Sequence, residues 1–117
     1  MQYLLLIYDE ETLWEKLPAG EIQQLMTDYN AFTEDIKKSG KLVGANRLAR
    51  VASASTVRVR AGKTQVTDGP FAETREQLGG YYLVEAKDLD EATKIAARIP
   101  SAKYGSIEVR PLWQAAM

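Results

Sequence analysis

The chain has no cysteine and no histidine. The first absence excludes disulfides, thiolate chemistry and Cys-ligated zinc, and fits a reducing compartment. The second removes the most frequent metal ligand and the side chain that titrates most readily near neutrality. No metal site and no cofactor is therefore expected, and any acid-base chemistry falls to carboxylates, lysine or tyrosine. Long apolar runs are also missing. The opening MQYLLLIYDEE carries no basic region, and its apolar run stops at Tyr8 before three acids, too short for a signal peptide or a membrane span. The reading predicts a cytoplasmic chain without a membrane partner. Nor is there an excess of either charge: 15 basic residues stand against 16 acidic ones, for a net charge of −1. No long-range field would draw in nucleic acid, so direct nucleic-acid binding is not expected.

What is present is length enough, at 117 residues, for one domain spanning residues 1–117, with a core that needs no cross-links. Residues 3–8 are an unbroken apolar and aromatic run bounded by acids, the pattern of a central strand covered on both faces. Ile22, Leu25, Met26, Tyr29, Phe32 and Ile36 recur at spacings of three and four, one stripe of a helix packed on the core. Pro18 and Glu21 suit the first turn of that helix, Lys37 and Lys38 the last, and Gly40 the position after it. Residues 42–48 are β-like. Residues 56–60 alternate and meet residues 63–67 across Ala61-Gly62, which predicts a hairpin pairing Arg60 with Lys63, Val59 with Thr64, Arg58 with Gln65 and Val57 with Val66. One hairpin face is then apolar and the other cationic.

Residues 81–86 predict another strand. Asp88 can cap a second helix with Glu91 three residues on, Leu89, Ala92, Ile95, Ala96 and Ile99 facing inward and Pro100 ending it. Residues 106–112 alternate again. This order predicts an α+β chain of the ferredoxin-like split βαβ kind, a mostly antiparallel sheet with two helices on one face. Leu4, Leu5, Leu6 and Ile7 cannot all face those helices. The other side of the sheet is therefore expected to pack against a second copy, giving a homodimer or higher homo-oligomer.

Residues 65–82, QVTDGPFAETREQLGGYY, concentrate chemistry between two strands. Asp68-Gly69 forms turns, Pro70 fixes its own φ and restricts Gly69, and Phe71 is delivered as an apolar anchor. Gly79-Gly80 lets a backbone or a ligand approach closely. With Asp68-Gly69-Pro70-Phe71, the longer string VTDGPFAETREQLGGYYLVEAKDLDEA over residues 66–92, the opening MQYLLLIY and the closing EVRPL, the chain resembles the YCII-related family, in the branch named for its DGPF motif. The resemblance implies a dimeric α+β barrel whose biochemical activity is largely unassigned. Members outside the branch are associated with a His-Asp pair whose Asp precedes a proline after the second helix. Here Ile99 precedes Pro100 and histidine is absent, so that pair does not carry over.

The candidate catalytic residues are Glu73 and Asp68; Glu73 has no turn to explain it but reads equally as solvated surface, and Asp68 reads more readily as a turn former. Phe71, Arg75, Gly79, Gly80, Tyr81 and Arg58 are candidates to bind a ligand. Arg75 can clamp a carboxylate or phosphate, or pair with Glu73 or Glu76; Arg58, Arg60 and Lys63 also read as a solvated hairpin face. Tyr81 and Tyr82 point to opposite sides of their strand, so only one can enter a given pocket. Trp14 and Trp113 fall outside the predicted elements and suit the cover of a cavity or a partner contact. Three functions stay open. One is an enzyme moving protons on a small organic substrate by a carboxylate, as an isomerase or lyase does. The second is a non-catalytic ligand-binding or accessory module, which the branch's association with extracytoplasmic-function sigma factors implies. The third is a purely structural dimer.

Overall fold

The computed structural model describes residues 1–114. Its main sheet has the order β2-β5-β1-β6, built from β1 (Gln2–Asp9), β2 (Leu42–Arg47), β5 (Gln77–Glu85) and β6 (Ser106–Pro111). β1 runs antiparallel to both β5 and β6, and β2 runs antiparallel to β5. β1 and β2 are therefore parallel, joined over the sheet by α2 (Ala19–Lys38), and β5 and β6 are parallel, joined by α3 (Leu89–Ala97). This is the split βαβ arrangement the sequence predicts.

Parity along β1 builds the core. Tyr3, Leu5, Ile7 and Asp9 are buried, and the residues between them are half-buried. Leu5 pairs with Tyr82 on one side and Val109 on the other, so the helix-facing side continues across three strands. Phe32 and Ile36 of α2 and Ala92, Ile95, Ala96 and Ile99 of the second helical segment close over it, with the Phe32 ring meeting Tyr82 edge-on at 5.2 Å. The termini of α2 follow the predicted signals. Its N-cap is Pro18, Lys37 and Lys38 occupy the last turn, and Gly40 leaves it at a φ of 74°. Asp88 caps α3 by accepting the Glu91 amide at 2.9 Å, while Glu91 returns a carboxylate oxygen to the Lys87 amide at 3.2 Å. Leu89, expected inward, is exposed, because the cap places it in the first turn on the solvent side.

The opposite face of the sheet presents Leu4, Leu6, Tyr8, Tyr81 and Leu83, all half-buried within one chain. Glu108 and Arg110, paired in register with Leu6 and Leu4, form an ion pair along its border.

The hairpin is a separate two-stranded sheet of β3 (Ser55–Arg60) and β4 (Lys63–Asp68), in the predicted register residue for residue. Ala61 and Gly62 both take positive φ, 52° and 75°, as a tight two-residue hairpin turn requires. Val57, Val59 and Val66 are 60%, 60% and 64% exposed. The Cα radius of gyration is 16.4 Å, against about 13 Å for a compact chain of this length, and the extents are 48 × 47 × 19 Å. The excess belongs to an arm that stands off the core. Among the described residues, no helix is long and apolar enough to cross a membrane.

Candidate functional site

Where β1 ends, the sheet and α2 leave a gap that α2 lines with Met26 and Tyr29. The gap is a cavity of about 360 Å³ between β1, β2, β5 and α2. Roofing it is α1 (Leu13–Lys16), a single turn that carries Trp14. Met26 and Tyr29 were expected as packing residues of the α2 stripe. Tyr29 packs against the core and lines the cavity as well, whereas Met26 is exposed and forms cavity wall; Leu25, Phe32 and Ile36 are the buried members of the stripe.

The floor of the cavity is Asp9, 6% exposed and the only buried carboxylate among the described residues. Burial raises its carboxyl above the ordinary range; the Trp14 indole and the Ser101 hydroxyl oppose this as hydrogen-bond donors, Glu76 adds to it and Arg47 works against it. Trp14 Nε1 donates to Oδ2 at 3.3 Å. The Tyr29 hydroxyl donates to Ser101 Oγ at 2.5 Å, which leaves the Ser101 proton free to turn to Asp9. Desolvation raises Tyr29 as well, so it stays a neutral donor.

Two glycines shape the surroundings of this carboxylate. Gly79 is the extra residue of a bulge, since Ile7 pairs with Gly80 and Tyr8 with Leu78. A Cβ at Gly79 would lie 3.7 Å from Asp9 Oδ1, so the missing side chain is part of the open space before the carboxylate. At Gly80 a Cβ would come within 2.9 Å of the Asn46 carbonyl oxygen, so this glycine serves the close approach of β2. The outer rim carries Arg50, which bonds Glu15 at 2.7 Å and lies 3.9 Å from Glu11, and Arg47, whose guanidinium sits 5.5 Å from the Trp14 ring centroid.

Of the residues singled out in the sequence, Gly79, Gly80 and Tyr81 border this cavity. Tyr82 borders it too. Its ring lies on the helix side with its hydroxyl on Thr33, whereas the Tyr81 hydroxyl accepts from Asn46. The others stand apart from it in a single chain. Asp68 and Glu73 are exposed, and Phe71 is 79% exposed. Arg75 pairs with Glu10 at 3.0 Å, not with Glu73 or Glu76, and Arg58 donates to the Phe71 carbonyl at 3.4 Å. In a single chain the DGPF corner thus lies apart from the cavity, which opens beside Asp9. The physical reason is the arm: the corner closes the base of a hairpin that leaves the core, pinned by Gly69 donating to the Ala54 carbonyl at 2.7 Å with φ at 98°. Trp14 belongs to a helical turn and covers the cavity, whereas Trp113 is 92% exposed.

The family model for the YCII-related domain matches residues 1–116, and the chain belongs to that family. Uncharacterized protein R00369 of Rhizobium meliloti strain 1021 is 41% identical over 114 residues, covering 96% of this chain and 92% of that protein. Among solved structures, 5-chloro-2-hydroxyhydroquinone dehydrochlorinase (TftG) from Burkholderia phenoliruptrix AC1100, in complex with 2,5-dihydroxybenzoquinone, is similar with a TM-score of 0.55 at 15% identity, covering 98% of this chain and 96% of that one. The likeness is one of fold.

Proposed function

We propose that the chain binds a small organic ring compound in the cavity beneath Trp14, that Asp9 moves a proton on it, and that the working particle is a homodimer. The observation that carries the reading is a carboxylate 6% exposed at the floor of a cavity of about 360 Å³. A volume of about a dozen waters suits a single ring with a few substituents. Burial makes Asp9 a stronger base when ionised and a neutral donor when protonated, which is what proton transfer next to a carbonyl requires. Ionised Asp9 takes the proton from a carbon beside the carbonyl; the C–H electron pair becomes a carbon–carbon double bond as the carbonyl π pair moves onto oxygen, giving an enolate. Return of that proton to another carbon of the delocalised system is an isomerisation. Loss of a leaving group from the adjacent carbon, as the enolate collapses to a carbonyl and a carbon–carbon double bond, is an elimination. The Tyr29–Ser101 pair donates toward Asp9 and so steadies its ionised form before the proton is taken. TftG, a dehydrochlorinase whose complex holds a six-membered quinone, supports a ring ligand and elimination chemistry on this fold.

Dimerisation is supported by the apolar sheet face of Leu4, Leu6 and Leu83 and by the exposed arm, since an isolated two-stranded hairpin is marginal in water. The lack of cysteine suits a reducing compartment, and we place the protein in the cytoplasm. Binding without turnover, as an accessory module, is the second reading; Phe71 and the arm valines, open to solvent, favour it as a surface for another partner. Deuterium exchange into a panel of monocyclic ketones and hydroxyquinones, followed by NMR in D₂O, separates the two. The enzyme reading expects accelerated exchange that Asp9→Asn abolishes. Equal rates for Asp9→Asn and the wild type would overturn it, and tight binding without exchange would establish the accessory reading.

A further inference from the structure

Five charged residues line the cavity: Asp9, Glu11, Glu15, Arg47 and Arg50. Three of them form one group at the outer rim. Arg50 bonds Glu15 and faces Glu11, and Glu11 also accepts the Val51 amide at 2.9 Å. Glu15 and Arg50 are each more than half exposed, so this group is screened and internally matched.

Arg47 differs from Arg50 in every respect that matters to a ligand. It has no carboxylate in ion-pair range among the described residues. Its backbone is fixed at the cavity edge, because it pairs with Gly80 in the β2–β5 ladder and a Cβ on Gly80 would lie 3.4 Å from its Cα. Its guanidinium sits over the Trp14 ring, 5.5 Å from the centroid, a cation–π contact that engages none of its N–H donors in an ion pair. Trp14 is itself held from below by Asp9. The indole thus fixes the cation at the mouth and the carboxylate at the floor in one assembly, with the open volume beside both.

We infer that Arg47 is an anion-recognition residue of this site, and that the ligand class is a small ring bearing a carboxylate, its carboxylate on the Arg47 edge and its ring between Trp14 and the Asp9 floor. The inference rests on the proposed cavity site and adds to it the charge of the ligand. A planar carboxylate is the partner that the guanidinium fork meets with two parallel hydrogen bonds. Lysine in the same place would offer a point charge without the planar fork, so the site distinguishes the two cations as well.

The test uses the full chain and two probes of equal shape, benzoate and benzamide, with the Trp14 indole N–H resonance as the reporter of cavity occupancy and calorimetry for affinity. Arg47→Ala, Arg47→Lys and the wild type are compared. Benzoate is expected to bind the wild type more tightly than benzamide, to lose about tenfold or more in Arg47→Ala, as a charge-assisted hydrogen bond implies, and to recover only partly in Arg47→Lys. Benzamide binding is expected to be unchanged by either substitution. Arg47 is exposed, so its variants should fold, and unchanged melting temperatures check this. Benzamide and benzoate binding equally well, or benzoate binding Arg47→Ala as tightly as the wild type, overturns the assignment to Arg47 while leaving the cavity site intact. Failure of both probes to shift the Trp14 resonance overturns the ligand class and the cavity reading together.

Discussion

Replacing Gly105 by alanine should damage the fold at the place where the candidate carboxylate is held. Gly105 lies between the short 3₁₀ turn at Pro100–Lys103 and β6, packed on the end of β1. A Cβ there would stand 2.0 Å from the Tyr8 carbonyl oxygen, 2.9 Å from Asp9 Cβ and 3.0 Å from Asp9 Cα. The obstructing atoms are mostly backbone, so no rotamer relieves the clash; β1 and the turn must separate by about 1 Å, where carbon contacts are optimal only near 3.5–4.0 Å. Overpacking costs of this kind run to about 3 kcal/mol. With an unfolding entropy of about 2.1 cal/mol/K per residue, 117 residues give about 0.25 kcal/mol/K, so the melting temperature should fall by about 12 °C. The companion variant is Gly79→Ala, whose Cβ would meet Asp9 Oδ1 at an ordinary 3.7 Å. It should melt within a few degrees of the wild type yet weaken ligand binding by filling the space before the carboxylate. Thermal unfolding by circular dichroism and ligand titration read the two effects. A Gly105→Ala protein that melts within about 2 °C of the wild type, or a Gly79→Ala protein that loses as much stability as Gly105→Ala, would refute the reasoning.

Asp9→Asn should change the pH dependence of stability. Because the folded-state carboxyl is raised, the native chain holds more protons than the unfolded one between the ordinary carboxylate pKa and the raised value, so stability falls as pH rises through that window and then levels. Asparagine removes this descent while keeping an oxygen for Trp14, so the advantage of the variant in urea unfolding should grow with pH; a constant difference contradicts it. Asp88→Ala should cost about 1 kcal/mol, a fall of about 4 °C in melting temperature, by leaving the Glu91 amide without its cap, whereas Asp88→Asn should be nearly neutral. Leu6→Lys, at the centre of the apolar sheet face, should halve the particle mass in light scattering, and a wild type that is already monomeric would rule out the proposed dimer.

The fold was legible because each of its signals is local. The β3–β4 register follows from two residues that accept positive φ, the termini of α2 and α3 from proline, lysine, glycine and a capping aspartate, and the split βαβ class from the order of strands and helices along the chain. The candidate site was less legible, because it arises from the meeting of segments distant in sequence. Asp9 reads as the first of three acids ending a strand, which is how a solvated strand end also reads. One signal does separate it. Counting by twos from Tyr3 through Leu5 and Ile7 places Asp9 on the helix side, so any strand that stays regular to its end must bury it or open a cavity there.

The density of the Asp68–Phe71 motif points away from that position because turn-forming residues mark both stiff loops and ligand loops, and only the topology distinguishes them. The arm bears on the distinction: its strands pair only with each other among the described residues, and the corner at their base ties down the hairpin's exit. Gly79-Gly80 shows how one motif divides between the two roles. The second glycine admits the backbone of β2, and the first, set out of the ladder by the bulge, leaves room in front of Asp9. The string of residues 65–82 therefore reaches the candidate site through its last residues, where the strand rejoins the sheet, and the buried carboxylate there comes from the strand it pairs with.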